Sequence, residues 1–115
     1  MNAIEEALLD FGVRPKLLGF KFLSQGIGLA LEDESYLYNT TTKLYRKVAR
    51  MSETTPSRVE RGMRHAIEAA FLHSDKETVK KYFGDTIDPL KGKATNSEFV
   101  AAMALNLKED EIACQ

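Results

Sequence analysis

The sequence contains few of the residues that small proteins use for covalent or metal stabilisation. Its 115 residues include one cysteine, Cys114, no tryptophan and two histidines. A single cysteine excludes an intramolecular disulfide, and a reducing compartment is the natural environment of such a chain. We therefore expect a cytoplasmic protein that folds through its hydrophobic core alone, because a chain of this length can bury one.

Long apolar runs are also missing, since no stretch approaches the roughly 20 residues that a membrane-spanning helix needs. The N-terminal segment MNAIEEALLD is acidic and lacks the charge pattern of a signal peptide. Hydrophobic residues make up 43% of the chain and charged residues 29%, which is a globular composition. These features predict one globular domain over residues 1–115 with no membrane association.

The net charge is also close to zero, at −1, but the charged residues are unevenly distributed along the chain. Residues 43–64 carry seven basic residues against two acidic ones, whereas the segments before and after them are both acidic. A basic segment of this kind is typical of a surface that faces a polyanion. The alternative is a solvated helical surface whose charges are neutralised by neighbours in three dimensions, and the charge pattern alone does not distinguish the two.

Helix signals follow one another along the chain, and no strand pattern or repeat interrupts them. N-cap residues mark four helix starts, at Asn2, Thr55, Asp75 and Thr95. Two of these residues have an acidic capping-box partner, and one is followed by proline. The first predicted helix ends at Gly12, and the second runs from Pro15 to about Leu31. The third and fourth span 40–51 and 56–72. The fifth stops at Gly84, and the last spans 96–107. The sequence therefore predicts an all-α fold of about six helices.

The helices near 40–51 and 56–72 are separated by a turn of about four residues, which is the spacing of a helix-turn-helix. On a helical wheel, the second of these helices has one apolar arc, formed by Val59, Met63, Ala66, Ile67 and Ala70. The opposite arc is polar and begins at the helix N-terminus, the end that a recognition helix inserts into the major groove. This pattern favours double-stranded DNA as the partner.

The polar arc carries residue types suited to reading bases. Arg58 and Arg61 can each hold the O6 and N7 atoms of a guanine, and Glu60 can accept from the N4 amino group of a cytosine. We expect contacts to the DNA backbone from hydroxyl, N–H and basic groups nearby, namely Thr54, Thr55, Ser57, Lys43, Lys47, Arg50 and Arg64. Glu60 and Arg64 are alternatively a surface ion pair. Gly62 is unfavourable within a helix and indicates close approach of a neighbouring helix or of the DNA backbone, with sequence drift as the alternative.

Three segments of the chain carry a longer and more specific pattern. SRVERGMRHAIEAAF (Ser57–Phe71), TNSEFVA (Thr95–Ala101) and GFKFL (Gly19–Leu23) stand at a matching spacing. They resemble the recognition helix, the last helix and the second helix of the C-terminal effector domain of the sporulation-initiation response regulators, the stage zero sporulation protein A family. The resemblance spans roughly residues 12–107. It implies a six-helix DNA-binding domain that reads a TGTCGAA-type box, usually in tandem copies bound head to tail.

The resemblance also implies roles for single positions. Arg58, Glu60 and Arg61 match the base readers of the family, and His65 matches a backbone contact. It further implies that the protein is a transcription regulator, and we expect a monomer in solution that binds as a tandem head-to-tail dimer on DNA.

A second implied partner is the sigma subunit of RNA polymerase. The family contacts it through the region after the recognition helix, which is residues 74–87 here. We expect Phe83 and Ile87 to make this contact. Lys80 and Lys81 depart from the small polar residues that are usual in the family at those positions.

No residue set predicts catalysis, a metal or a cofactor. His65 and Glu68 lie three residues apart but lack a second set of ligands, and no glycine-rich phosphate loop is present. No receiver domain of the kind found in the family is expected, so the chain is either an excised effector domain or a stand-alone relative. The alternative function is a receiver-less interaction module that binds a full-length regulator or RNA polymerase with little sequence-specific DNA affinity.

Overall fold

The computed structural model of the protein describes residues 2–84 and 92–113, which form helices joined by short turns. The helices are α1 (Ala3–Phe11), α2 (Leu18–Glu32), α3 (Ser35–Tyr38), α4 (Tyr45–Met51), α5 (Pro56–His73), α6 (Lys76–Phe83) and α7 (Asn96–Ala113), and a π-helical turn over Thr40–Leu44 leads into α4. These described ranges contain no strand. The all-α prediction is confirmed, and α4 and α5 are the predicted helix pair.

Local capping signals account for the helix starts that the sequence predicts. The Asn2 side chain accepts a hydrogen bond from the backbone N–H of Glu5 at 2.8 Å. Thr55 Oγ1 accepts from the backbone N–H of Arg58 at 3.2 Å, and Asp75 caps α6 in the same way. Each cap satisfies an N–H group that has no partner within its own helix.

Two helices differ from the predicted bounds. α2 begins at Leu18 rather than at Pro15, because residues 14–17 form a turn in which the Leu17 N–H donates to the Arg14 carbonyl at 3.2 Å. α7 continues to Ala113 instead of ending at residue 107. A rigid turn is the other common position of proline, so Pro15 alone does not define a helix start.

The segment before α4 is also more irregular than a single helix over 40–51. The short helix α3 stands where the sequence indicates a polar break followed by a connection. The next turn, Thr40–Leu44, is π-helical rather than α-helical. It begins with three successive threonines, whose branched side chains are poor α-helix formers.

The hydrophobic core lies around α2, which packs against α5 and α7. At one end of the core, the rings of Phe11, Phe71, Phe83 and Phe99 pack with centroids 5.0 to 5.8 Å apart, which joins α1, α5, α6 and α7. All five residues of the predicted apolar arc of α5 are buried. α2 and α5 cross at Gly62, so the interpretation of this glycine as a close approach between helices is confirmed.

Candidate nucleic-acid interface

The turn between α4 and α5 is held by hydrogen bonds on both sides. The Thr54 N–H donates to the Ala49 carbonyl at 2.9 Å, which closes the turn onto α4. Ser52 Oγ donates to Gln25 Oε1 at 2.8 Å, which joins the turn to α2. Glu53 takes a left-handed conformation with φ +53°. These bonds fix where α5 starts relative to α4 and α2.

The first turn of α5 presents hydroxyl and N–H groups to solvent. Thr55 is the N-cap, Pro56 occupies the first turn, and no acidic residue lies in that turn. Thr55 and Ser57 are exposed, and Thr54 is partly exposed beside them. The N-terminus of a helix carries a partial positive charge and free N–H groups, which is an arrangement that binds phosphate.

One side of α5 carries a row of three exposed cationic or titratable side chains, Arg58, Arg61 and His65, which we call the arginine row. The row forms one wall of a groove of about 400 Å³, whose opposite wall comes from Lys16 in the turn before α2 and from Leu18 at the start of α2. None of the three side chains forms an ion pair with a residue in the described part of the chain. Their donors are therefore available to an external anion or base.

The other side of α5 carries Glu60, Arg64 and Glu68, which form a charge network with Lys93 from the segment before α7. Arg64 donates to the Glu60 carboxylate, and its Nε lies 3.9 Å from Glu68 Oε1. Lys93 Nζ donates to the same Glu68 oxygen at 2.8 Å, and this hydrogen bond lowers the pKa of Glu68. The ion pair between Glu60 and Arg64 is therefore present. Exposed pairs of this kind contribute less than about 1 kcal/mol each to stability.

A buried amide joins α4, α5 and α7 directly behind this network. Asn96, the first residue of α7, is 8% exposed. Its Nδ2 donates to Tyr45 Oη at 3.0 Å and to the backbone carbonyl of Glu60 at 3.0 Å. Burial raises the pKa of Tyr45. Sequence reasoning missed this contact, because Asn96 lies 51 and 36 residues from its two partners and no local pattern marks it.

Basic side chains line a second surface, along the π-helical turn and α4, and they differ in how they are engaged. Lys43 Nζ lies 3.2 Å from Asp33 Oδ2, donates to Ser35 Oγ, and stands 4.5 Å above the ring of Tyr36. Three other basic residues form no ion pair with the described residues, namely Arg46, Lys47 and Arg50. Arg46 was not among the predicted contacts, although its four-residue spacing from Arg50 places both on one side of α4.

Of the two predicted polymerase contacts, Phe83 lies within the described residues. Phe83 is 5% exposed and packs among the phenylalanine rings of the core, because α6 turns its apolar side toward α1 and α7. The prediction of Phe83 as a surface contact is therefore not supported by its burial. Ile87 and Cys114 lie outside the described residues.

Within the described ranges, no three histidine, cysteine, aspartate or glutamate residues lie close enough together to hold a metal ion. None of the helices described is both long and apolar enough to cross a membrane.

The described residues therefore assemble a helix-turn-helix, a helix start with exposed hydroxyl and N–H groups, and two arginines with no ion-pair partner among them, all in an all-α fold. The family model of the sporulation initiation factor Spo0A C terminal matches residues 4–107, which is nearly the whole chain. The match includes the turn, all of α5 and the start of α7. The chain therefore belongs to the family of the C-terminal domain of the sporulation initiation factor Spo0A, which is a family of DNA-binding domains.

Proposed function

We propose that the chain is a sequence-specific transcription regulator of the sporulation-initiation type, which reads a TGTCGAA-like box in the major groove with α5. One observation carries this proposal: Arg58 and Arg61 project from the N-terminal half of α5 with no carboxylate partner among the described residues. An arginine without such a partner keeps both donors of its planar fork for the O6 and N7 atoms of a guanine.

Glu60 completes the proposed base-reading set. Its carboxylate accepts from Arg64, so it is already oriented and partly neutralised. A free carboxylate near DNA phosphates is repelled, whereas a paired one can approach the groove and accept from a cytosine N4 group. In this proposal Arg64 both pairs with Glu60 and contacts the DNA backbone, which combines the two interpretations of the pair.

Contacts to the DNA backbone then lie on both sides of α5. Thr54, Thr55 and Ser57 offer hydroxyl and N–H groups at the start of the helix, and His65 lies farther along the arginine row. Lys43, Lys47 and Arg50 extend the contacts to α4. For Lys43, contact with a phosphate requires exchange of its bond to Asp33, so we expect it to contribute less than the others.

We propose a monomer in solution that binds tandem boxes head to tail, and a contact with the sigma subunit through the region that begins at Ser74. Membership of the family supports both proposals. Phe83 takes part in the sigma contact indirectly, because its buried ring fixes α6 against the core. The side chains exposed on α6 are then those that meet the partner.

Fluorescence anisotropy tests the proposed function. The purified chain is titrated with a duplex that carries two tandem TGTCGAA-type boxes, a duplex with one box, and a scrambled duplex, all at physiological salt. We expect at least about a tenfold preference for the boxes over the scrambled duplex, since each mismatched base pair costs about 1–3 kcal/mol. Equal, weak binding to all three would overturn the proposal and favour the interaction module.

A further inference from the structure

We propose that Asn96 is a positioning residue for the recognition helix, and that it sets sequence-specific DNA affinity without contacting DNA. Its two amide hydrogens hold α4 and α5 in one arrangement, so the arginines of α5 reach the bases in register. This inference rests on the proposed function, because it concerns how that same interface is aligned.

The position of the contact carries the inference. The carbonyl that Asn96 holds belongs to Glu60, which stands between Arg58 and Arg61. The other partner, Tyr45 Oη, belongs to α4, the first helix of the helix-turn-helix. One side chain from outside the motif therefore connects both of its helices at the level of the proposed base readers.

Asn96 is itself held by a capping box and by the core. Thr95 and Glu98 form a capping box, with a 2.9 Å bond from the Thr95 N–H to the Glu98 carboxylate and a 3.2 Å bond from the Glu98 N–H to Thr95 Oγ1. Phe99 and Val100 follow directly and are fully buried. Asn96 is thus fixed to the core through α7, and it transmits that fixed position to α5.

Loss of the Asn96 amide should change the position of α5 relative to α4 more than it changes the stability of the fold. The Glu60 carbonyl lies within α5 and keeps its helical hydrogen bond, since a carbonyl has two lone pairs. The Tyr45 hydroxyl lies on the wall of a groove of about 510 Å³ between α5 and α7, where water can replace the amide. Base reading needs donors placed to within about half an ångström, whereas non-specific binding is electrostatic and tolerates small shifts.

The chain offers a matched control on the same helix. Asn106 Nδ2 also donates two hydrogen bonds, to the Tyr82 carbonyl at 2.9 Å and to the Ala102 carbonyl at 2.8 Å. This amide joins α7 to α6 and not to the helix-turn-helix. Asn106→Ala therefore removes an amide from α7 that makes one bond to another helix and one within α7, and it leaves α4 and α5 untouched.

The test compares the parent chain, Asn96→Ala and Asn106→Ala, at a temperature where circular dichroism shows all three folded. Affinity is measured for the tandem-box duplex and for the scrambled duplex. We expect Asn96→Ala to lose roughly tenfold in affinity for the boxes, which is the lower part of the range for one bidentate base contact, and less than twofold for the scrambled duplex. Asn106→Ala should keep the parent ratio of the two affinities.

Tyr45→Phe keeps the inference testable if Asn96→Ala does not fold, because it removes only the hydroxyl acceptor. We expect it to lower the ratio of box to scrambled affinity about twofold to threefold, which is a fraction of the effect of losing one base contact. The inference is overturned if the folded Asn96→Ala variant keeps the parent ratio of box to scrambled affinity. If only Tyr45→Phe folds, a parent ratio in that variant overturns it. A loss of the ratio in Asn106→Ala equal to that in Asn96→Ala also overturns it. If the parent itself shows no preference for the boxes, the proposed function fails first and the inference with it.

Discussion

Gly19 of α2 and Gly62 of α5 face each other where the two helices cross, and neither position has room for a side chain. A Cβ atom added to Gly19 would lie 2.1 Å from the Gly62 carbonyl oxygen. A Cβ atom on Gly62 would lie 2.8 Å from the ring of Phe22. The backbone of the proposed recognition helix therefore rests directly on the central helix of the core.

This contact reverses the usual effect of replacing glycine within a helix. At an exposed helical position, alanine is more stable than glycine by about 1 kcal/mol. We expect Gly62→Ala to be less stable than the parent by about 1–3 kcal/mol, because the phenylalanine ring must move. Gly19→Ala should cost at least as much, since its contact is with rigid backbone. Urea denaturation followed by circular dichroism measures both.

Gly28 is the matched control, because it lies on the same helix as Gly19 but in an open position. The nearest atom to its Cβ position would be Ile4 Cδ1 at 3.7 Å, which is an ordinary contact. Gly28→Ala should leave stability unchanged or raise it by up to about 1 kcal/mol. Stabilisation of all three variants would contradict the close crossing of α2 and α5.

Glu53 has a left-handed backbone in the turn before α5, where glycine carries less strain. We expect Glu53→Gly to stabilise the protein by about 0.5–1 kcal/mol, because the steric cost of the side chain exceeds the entropy cost of glycine. Thermal unfolding measures the change. Glu53→Ala removes the same carboxylate but keeps the strained backbone, so it should show no gain. Equal stabilisation in the two variants would assign the effect to charge instead.

Asp33 gives the protein a defined sensitivity to acid. The Ser35 backbone N–H, the Ser35 hydroxyl and Lys43 lower the pKa of Asp33 from 3.8 to about 2. Because the folded pKa lies below the unfolded one, this contribution is complete above about pH 4 and is lost as the pH falls toward 2. Asp33→Asn should therefore be less stable than the parent at pH 6, and most of this difference should be gone near pH 2.

Urea denaturation at pH 6, 4, 3 and 2 follows this difference. Glu32→Gln is the neighbouring control, since Glu32 is exposed and forms no ion pair with the described residues. Comparison of Asp33→Asn with Glu32→Gln separates the hydrogen bonds and ion pair of Asp33 from the general effect of removing one carboxylate. A constant difference for Asp33→Asn at every pH would contradict the account of its pKa.

The two lysines of the surface along the π-helical turn and α4 should contribute differently to the salt dependence of DNA affinity. Lys47 forms no ion pair with the described residues, whereas Lys43 is bonded to Asp33. We expect Lys47→Ala to reduce the slope of log affinity against log salt by about 0.9, the value for one phosphate contact. Lys43→Ala should reduce it by less. Anisotropy titrations at four salt concentrations give the slopes, and a larger reduction in Lys43→Ala would contradict this order.

Much of the fold follows from local signals in the sequence. The caps at Asn2, Thr55 and Asp75 and the apolar arc of α5 are short-range patterns, and the structure has each where it is predicted. The predicted start of α2 was wrong, because proline is as common in a loop turn as it is at the first position of a helix. The π-helical turn before α4 was missed because propensity distinguishes helix from coil but not one helix type from another.

Only those features of the candidate site that lie within one helix could be predicted from the sequence. The exposure of Arg58 and Arg61 follows from the helical wheel, and so does the pairing of Glu60 with Arg64. The bond of Lys93 to Glu68 spans 25 residues. Such long-range contacts depend on how α7 packs against α5, and periodicity within a helix contains no information about that packing.

The most direct test of the account is the affinity of Arg61→Ala for the tandem-box duplex and for boxes in which single guanines are replaced. We expect a loss of about 1–3 kcal/mol on the intact box and lost discrimination at one guanine, with little change on a scrambled duplex. Arg46→Ala is the control from α4 and should keep discrimination at every base. An Arg61→Ala chain that binds the box as tightly as the parent, or that weakens equally on every duplex, would contradict base reading by α5.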